Sequence, residues 1–265
     1  MFKTIFLAPL ILALTLCAGT SAQTGGTTSP EFDESHGITI INSYNEKKVI
    51  DALASADEKT LVVFDVDETL IKRPRIYMET KKYVETKKNK DIKLIEDCIP
   101  QMISNLQSRG VKVIALTKFD TGHNPLIKSI FGYESCEEMR YEQLKAVGIN
   151  FAKPMKKLLP EYINFDEANI LGQNPPVFYK GIMCNGSFPD KGDVLEILLE
   201  KLAQTTNFYP SKVIFFDDQQ RNVTSVSNKM KTLEIPSTSF LYTGGNNPIP
   251  RAQRHLRRIM GPRYA

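Results

Sequence analysis

Two aspartates, Asp65 and Asp67, stand at the end of an apolar run, Thr60 to Phe64. In an extended strand side chains alternate, so residues spaced i, i+2 leave the same face. Carboxylates that close repel each other unless a cation or a shared proton lies between them. A second pair, Asp217 and Asp218, ends the apolar run Lys212 to Phe216, and a hydroxyl, Thr117, ends a third run beginning at Val111. Lys191 opens a segment in which Leu195, Leu198, Leu199 and Leu202 recur at helical spacing. A cation there opposes the helix macrodipole, and an anion held nearby would account for it. Taken singly, each feature also reads as an acidic turn or a cap, because short motifs match by chance. Together, and in this order, they describe a site for a cation and an anionic ligand.

These groups need rigid elements to hold them. The runs at Thr60, Val111 and Lys212 are apolar at nearly every position, the pattern of parallel strands buried on both faces. Ile38 to Ile41 reads as a short strand, and Ser43 with Glu46 as a capping box opening a helix to about Ala54. Helical crossovers are expected from about Leu94 to Ser108 and from about Cys136 to Val147, the latter stopped by Gly148. In residues 162–187, Pro175-Pro176 followed by Val177 to Ile182 predicts a hairpin. Arg251 to Arg258 reads as a basic helix, and no internal repeat is present.

The four segments resemble the haloacid dehalogenase (HAD) superfamily of hydrolases, most of whose members are phosphatases. Asp65-Val66-Asp67-Glu68-Thr69 is similar to its first motif, Thr117 to its second, Lys191 to its third and Asp217-Asp218 to its fourth. Phe215 to Val223 and Met139 to Leu144 look like an uncharacterised secreted bacterial branch. The resemblance implies an α/β fold, a doubly wound Rossmann-like parallel sheet with helices on both faces and small cap insertions. Such sheets bind ligands at the carboxyl ends of their strands.

The resemblance also implies a chemistry. Phosphate esters resist hydrolysis because their anionic oxygens repel a nucleophile, so catalysis must neutralise charge and align the reacting atoms. Asp65 would attack phosphorus and form an aspartyl-phosphate. Asp67 would protonate the leaving oxygen and then take a proton from water. Thr117 and Lys191 would hold the phosphoryl oxygens. Mg²⁺, which takes hard oxygen ligands, would be held by Asp65, the carbonyl of Asp67 and one of Asp217 or Asp218; strand-end alignment favours Asp218, with Asp217 acting through a water. The expected function is a Mg²⁺-dependent phosphatase acting on a phosphorylated small molecule or macromolecule. The alternatives are a non-catalytic binding protein on the same fold and another hydrolase of this kind, such as a phosphonatase.

The chain has 265 residues and a formal net charge of +4, enough for one well-buried α/β domain with an insertion. Part of the positive excess lies in residues 71–93, where lysines and arginines are interleaved with Tyr77, Met78 and Tyr83. That insertion reads equally as a solvated basic face and as a small cap that steers an anionic substrate. No nucleic-acid motif or array of stacking aromatics is present, so no nucleic-acid partner is expected.

At the amino terminus, Lys3, the apolar run Ile5 to Cys17 and small residues ending at Ala22 form the pattern of a secretory signal peptide, residues 1–22. The run is shorter than the roughly 18 residues of a spanning helix, and Leu16 before Cys17 argues against lipidation. The rest, 23–265, is expected to form one hydrolase domain in the periplasm or secreted, without a membrane partner. Gln23 to Pro30, rich in Thr, Gly and Ser, reads as a leader. Cys98, Cys136 and Cys184 lack zinc-ligand spacing and allow one disulfide and one free thiol. His36, His123 and His255 are scattered; only His123, soon after Thr117, is placed to approach the site.

Overall fold

The computed structural model describes residues 32–33, 37–72, 92–152, 159–165, 174–186, 188 and 190–245. The leader, most of the basic insertion, the carboxyl-terminal basic helix, His36 and His255 lie outside the described residues. The strands are β1 (Phe32–Asp33), β2 (Ile38–Ile41), β3 (Thr60–Phe64), β4 (Ile71–Lys72), β5 (Lys93–Leu94), β6 (Lys112–Thr117), β7 (Tyr162–Asn164), β8 (Val177–Tyr179), β9 (Ile182–Cys184), β10 (Lys212–Asp217) and β11 (Ser237–Tyr242). The helices are α1 (Lys47–Ala54), α2 (Ile99–Ser108), α3 (Pro125–Phe131), α4 (Cys136–Ala146), α5 (Lys191–Thr206) and α6 (Gln220–Thr232).

Nine strands form one sheet in the order β1-β2-β11-β10-β3-β6-β9-β8-β7. The six from β2 to β9 in that order run parallel, and antiparallel strands close both edges. Alternation along the strands divides the core. Val62, Phe64, Ile214 and Phe216 face one way, with Val49 and Leu53 of α1, Ile99 and Ile103 of α2, and Tyr141 and Leu144 of α4. Leu61, Val63, Val213 and Phe215 face the other way, with Leu195 and Leu198 of α5 and Val223 and Val226 of α6. The fold is therefore α/β and doubly wound, with a mostly parallel central sheet. Across three neighbouring strands Phe64, Phe216 and Phe240 stack in series, with centroid spacings of 4.8 Å, directly below the strand ends that carry the aspartates.

Two local expectations are corrected. The second helix begins at Ile99 rather than near Leu94, because Lys93 and Leu94 pair antiparallel with Lys72 and Ile71. Pro100 then falls in the first turn, where its missing N–H costs nothing. The capping box forms by half. Glu46 accepts the Ser43 N–H at 3.3 Å, but the Ser43 hydroxyl is committed to Glu96 and Asn45, and α1 starts later, at Lys47. In residues 162–187, β8 and β9 pair antiparallel and β7 adds to the sheet edge. The basic insertion leaves and rejoins the fold through the two-stranded ribbon β4–β5. After β11 the chain passes close over the loop that follows β3. A Cβ on Gly245 would sit 2.5 Å from the Glu68 carbonyl oxygen, so only glycine allows that passage.

Candidate active site

β3 and β10 are neighbours, and β6 lies on the other side of β3, so chain connection reverses direction between β3 and β10. This is the switch point at which open α/β sheets form a crevice. The ladder extends one step past β3, where the Asp65 N–H donates to the Phe216 carbonyl at 2.8 Å. That bond sets Asp65 beside Asp217. The turn that follows is tight: Glu68 has φ 64°, its N–H donates to the Ile71 carbonyl at 2.8 Å, and the Leu70 N–H donates to the Val66 carbonyl at 2.9 Å.

Lys191, 2 % exposed, reaches from the first turn of α5 and donates to Asp65 Oδ1 at 2.5 Å and Asp217 Oδ2 at 2.7 Å. Asp190 caps that helix by accepting the Gly192 N–H at 3.0 Å, which fixes where the lysine starts. The other Asp65 oxygen accepts the Thr69 hydroxyl at 3.1 Å. Asp217 is fully buried and takes three further bonds, from the Gln219 N–H at 2.8 Å and the Asn222 amide at 3.0 and 3.1 Å. Its oxygens are committed. Asp218 differs: its buried Oδ1 has no hydrogen-bond partner among the described residues. Asp65, Asp217 and Asp218 each present an oxygen, and these lie within 4.8 Å of one another.

The electrostatics follow from that crowding. Burial, assisted by repulsion from Asp217 and Asp67 and resisted by Lys191, pushes the Asp65 carboxyl up to about 7. Burial and Asp217 likewise push Asp218 up to about 6. Burial alone would lower the Lys191 ammonium, but Asp217 and Asp65 outweigh it and hold the group above its ordinary value. One ammonium among three carboxylates leaves a net negative cavity. An unpartnered carboxylate oxygen, all-oxygen donors and the 4.8 Å grouping fit a hard divalent cation.

Asp67 points elsewhere. Arg140 of α4, fully buried, grips both its oxygens, Nη1 to Oδ1 at 3.1 Å and Nη2 to Oδ2 at 2.9 Å. Thr117 ends β6, and the register Phe64↔Ala115 brings it level with the Asp65–Asp67 segment. Its hydroxyl is buried and has no partner among the described residues. Asn185, just past β9 and tied by its N–H to the Thr117 carbonyl at 3.0 Å, is fully buried with both amide atoms unpartnered. Asp65, Asp67, Thr117, Asp217 and Asp218 thus lie at or just past the carboxyl ends of three adjacent strands, and Lys191 in the first turn of α5. His123 does not join them; it is exposed, and its Nδ1 meets the Glu134 carbonyl at 2.9 Å. Among the described residues Cys98, Cys136 and Cys184 form no disulfide, and burial raises the Cys184 thiol.

Sequence reasoning assigned no role to Arg140, Thr69, Asn222 or Asn185. Asn222 carried a usable signal: in the first turn of α6, it follows the Asp217-Asp218 pair closely enough to bond back to it.

A family model described as a protein of unknown function, DUF2608, matches residues 75–260, more than half of the chain. The chain belongs to that family. The matched span includes Thr117, Arg140, Lys191, Asp217 and Asp218 and begins after Asp65 and Asp67. No curated protein and no solved structure matches the chain.

Proposed function

We propose that this member of the DUF2608 family is a Mg²⁺-dependent phosphatase of the haloacid dehalogenase type that hydrolyses phosphate monoesters through an aspartyl-phosphate at Asp65. The observation that carries the reading is the cluster of buried Asp65 and Asp217, bridged by the Lys191 ammonium, with half-buried Asp218, beside a Thr117 hydroxyl unpartnered among the described residues. A fold held by hydrophobic burial has no use for such a cluster, since buried charges cost several kcal/mol each unless a ligand compensates them.

In the proposed reaction an Asp65 oxygen forms a bond to phosphorus as the ester oxygen leaves. Asp67 gives that oxygen its proton. Water then attacks phosphorus, Asp67 takes the proton back, and inorganic phosphate departs with Asp65 regenerated. The Thr117 hydroxyl and the Lys191 ammonium donate to the phosphoryl oxygens as charge builds on them. Asp65 and Asp218 would hold the cation by their side chains and Asp67 by its carbonyl. Asp217, its oxygens already engaged, orients Lys191 instead. When bound, Mg²⁺ supplies positive charge that offsets the repulsion between the carboxylates and the phosphate.

The test is turnover of a panel of phosphorylated metabolites by the mature protein, with and without Mg²⁺. Cation-dependent phosphate release that is lost in Asp65→Asn is expected; no release from any ester, or equal rates in Asp65→Asn, overturns the proposal. We also propose that the protein is exported, on the strength of the apolar run to Cys17 and the small residues ending at Ala22. Among the described residues no helix is long and apolar enough to cross a membrane. Amino-terminal sequencing should find mature protein starting at or near Gln23, and Met1 retained on the whole pool would remove this placement.

A further inference from the structure

We propose that Arg140 is a positioning residue for the reaction above, aligning Asp67 for proton transfer without touching the substrate. The inference rests on the phosphatase reading and adds to it a residue on a different helix.

Burial of α4 is not explained by its apolar residues alone. Its buried residues include Glu137, Arg140 and Gln143, spaced i, i+3, i+6 and so sharing one side of the helix. Glu137 accepts the Gly122 N–H at 2.9 Å and ties α4 to the loop after β6. Arg140 ties it to the loop after β3 through Asp67. The Phe119 ring, two residues past Thr117, lies flat enough against the guanidinium to place its centroid 4.0 Å from Cζ. The helix thus braces two of the strand ends that carry the site.

The form of the contact matters more than its charge. Two parallel N–H···O bonds fix both the direction and the plane of a carboxylate, whereas a lysine would supply one point of attraction. Asp67 is partly open, with its side chain 26 % exposed, and sits on a tight turn. The fork holds its carboxylate in one plane. Stability gives no sufficient reason for the pair, because burying a guanidinium commonly gains little over a well-packed apolar residue. The unpartnered, buried Nε of Arg140 adds to that cost.

The experiment is a double-mutant cycle on kcat for an alkyl phosphate, with wild type, Arg140→Met, Asp67→Asn and the double variant. Methionine retains packing against Phe119 but loses the fork. Arg140→Met should lower kcat by about 10²-fold with little change in KM, the scale of a misplaced catalytic group. In the Asp67→Asn background the same substitution should cost almost nothing, because its target has been removed. Arg140→Lys, which keeps the charge, should lose most of the same factor, and added guanidinium ion should restore part of the Arg140→Met rate. An equal loss in both backgrounds, or a rise in KM at unchanged kcat, overturns the inference. If Arg140→Met does not fold, a wild-type rate in Arg140→Lys overturns it equally. Absence of turnover in the wild-type protein would instead overturn the phosphatase reading itself.

Discussion

Replacing Lys191 with methionine tests the electrostatics of the site independently of any substrate. The ammonium is 2 % exposed and is shared between Asp65 at 2.5 Å and Asp217 at 2.7 Å. Methionine has similar length and volume, so the substitution deletes the charge and leaves the packing. What remains is three carboxylates whose oxygens lie within 4.8 Å of one another and no buried cation among them. Removing one partner of a buried pair costs about 3–5 kcal/mol. For a domain of this size, 1 kcal/mol moves Tm by about 2–4 °C, which puts the expected fall at roughly 6–20 °C near neutral pH without divalent cation. The deficit should shrink near pH 5, where protonation neutralises the orphaned carboxylates, and again near neutral pH when millimolar Mg²⁺ supplies the missing charge. Thermal unfolding followed by circular dichroism, at both pH values and with and without Mg²⁺, gives the four comparisons. A variant that melts with the wild type near neutral pH in the absence of cation would refute the reasoning, since the lysine would then not be compensating the cluster.

Two further outcomes follow from the same geometry. The Asp65 and Asp218 carboxyls are raised from 3.8 to about 7 and about 6, so the cation-free native state binds protons more tightly than the unfolded chain. Their contribution to cation-free stability is full below about pH 3.8 and is lost as pH rises through 6 to 7, while Mg²⁺ affinity, which needs both groups ionised, climbs over that window; calorimetric titrations that give one affinity from about pH 5 to 8 would contradict the assignment. Asp67→Asn should slow hydrolysis of an alkyl phosphate by about 10²–10⁴-fold and an aryl phosphate by less, because a better leaving group needs less help from an acid. Steady-state rates on the two esters decide this, and equal losses would remove Asp67 from proton transfer.

The parts of this site that could be read in the sequence are those set by local pattern. An apolar strand that stops at a carboxylate or a hydroxyl marks its own carboxyl end, so Asp65, Thr117 and Asp217 were legible together with the sheet that carries them. Lys191 was legible because the leucine spacing of α5 fixes the helix start. Arg140 was not. The stretch Cys136 to Ala146 reads as a crossover helix crowded with charge, and only the fold reveals that part of its polar side faces two strand ends. The commitment of Asp217 to Lys191 and Asn222, which leaves Asp218 open, depends on three elements converging and has no signature in the strand itself. The late start of α2 has the same origin, since pairing across the basic insertion takes up Lys93 and Leu94.

The seam between β3 and β10 has a kinetic consequence. These strands lie side by side at the centre of the sheet, yet β6, β7, β8, β9 and α5 are all threaded between them in the chain. Pairings so distant in sequence form late and slowly, because the intervening chain must be ordered before contact is rewarded. A partly folded molecule lacking β10 would hold Asp65 without Asp217 or Asp218 beside it, and so would be spared the repulsion of the finished cluster. Assembly of the site therefore waits on one of the long-range pairings of the fold. A divalent cation held between Asp65 and Asp218 would add its stabilisation only once that pairing had formed.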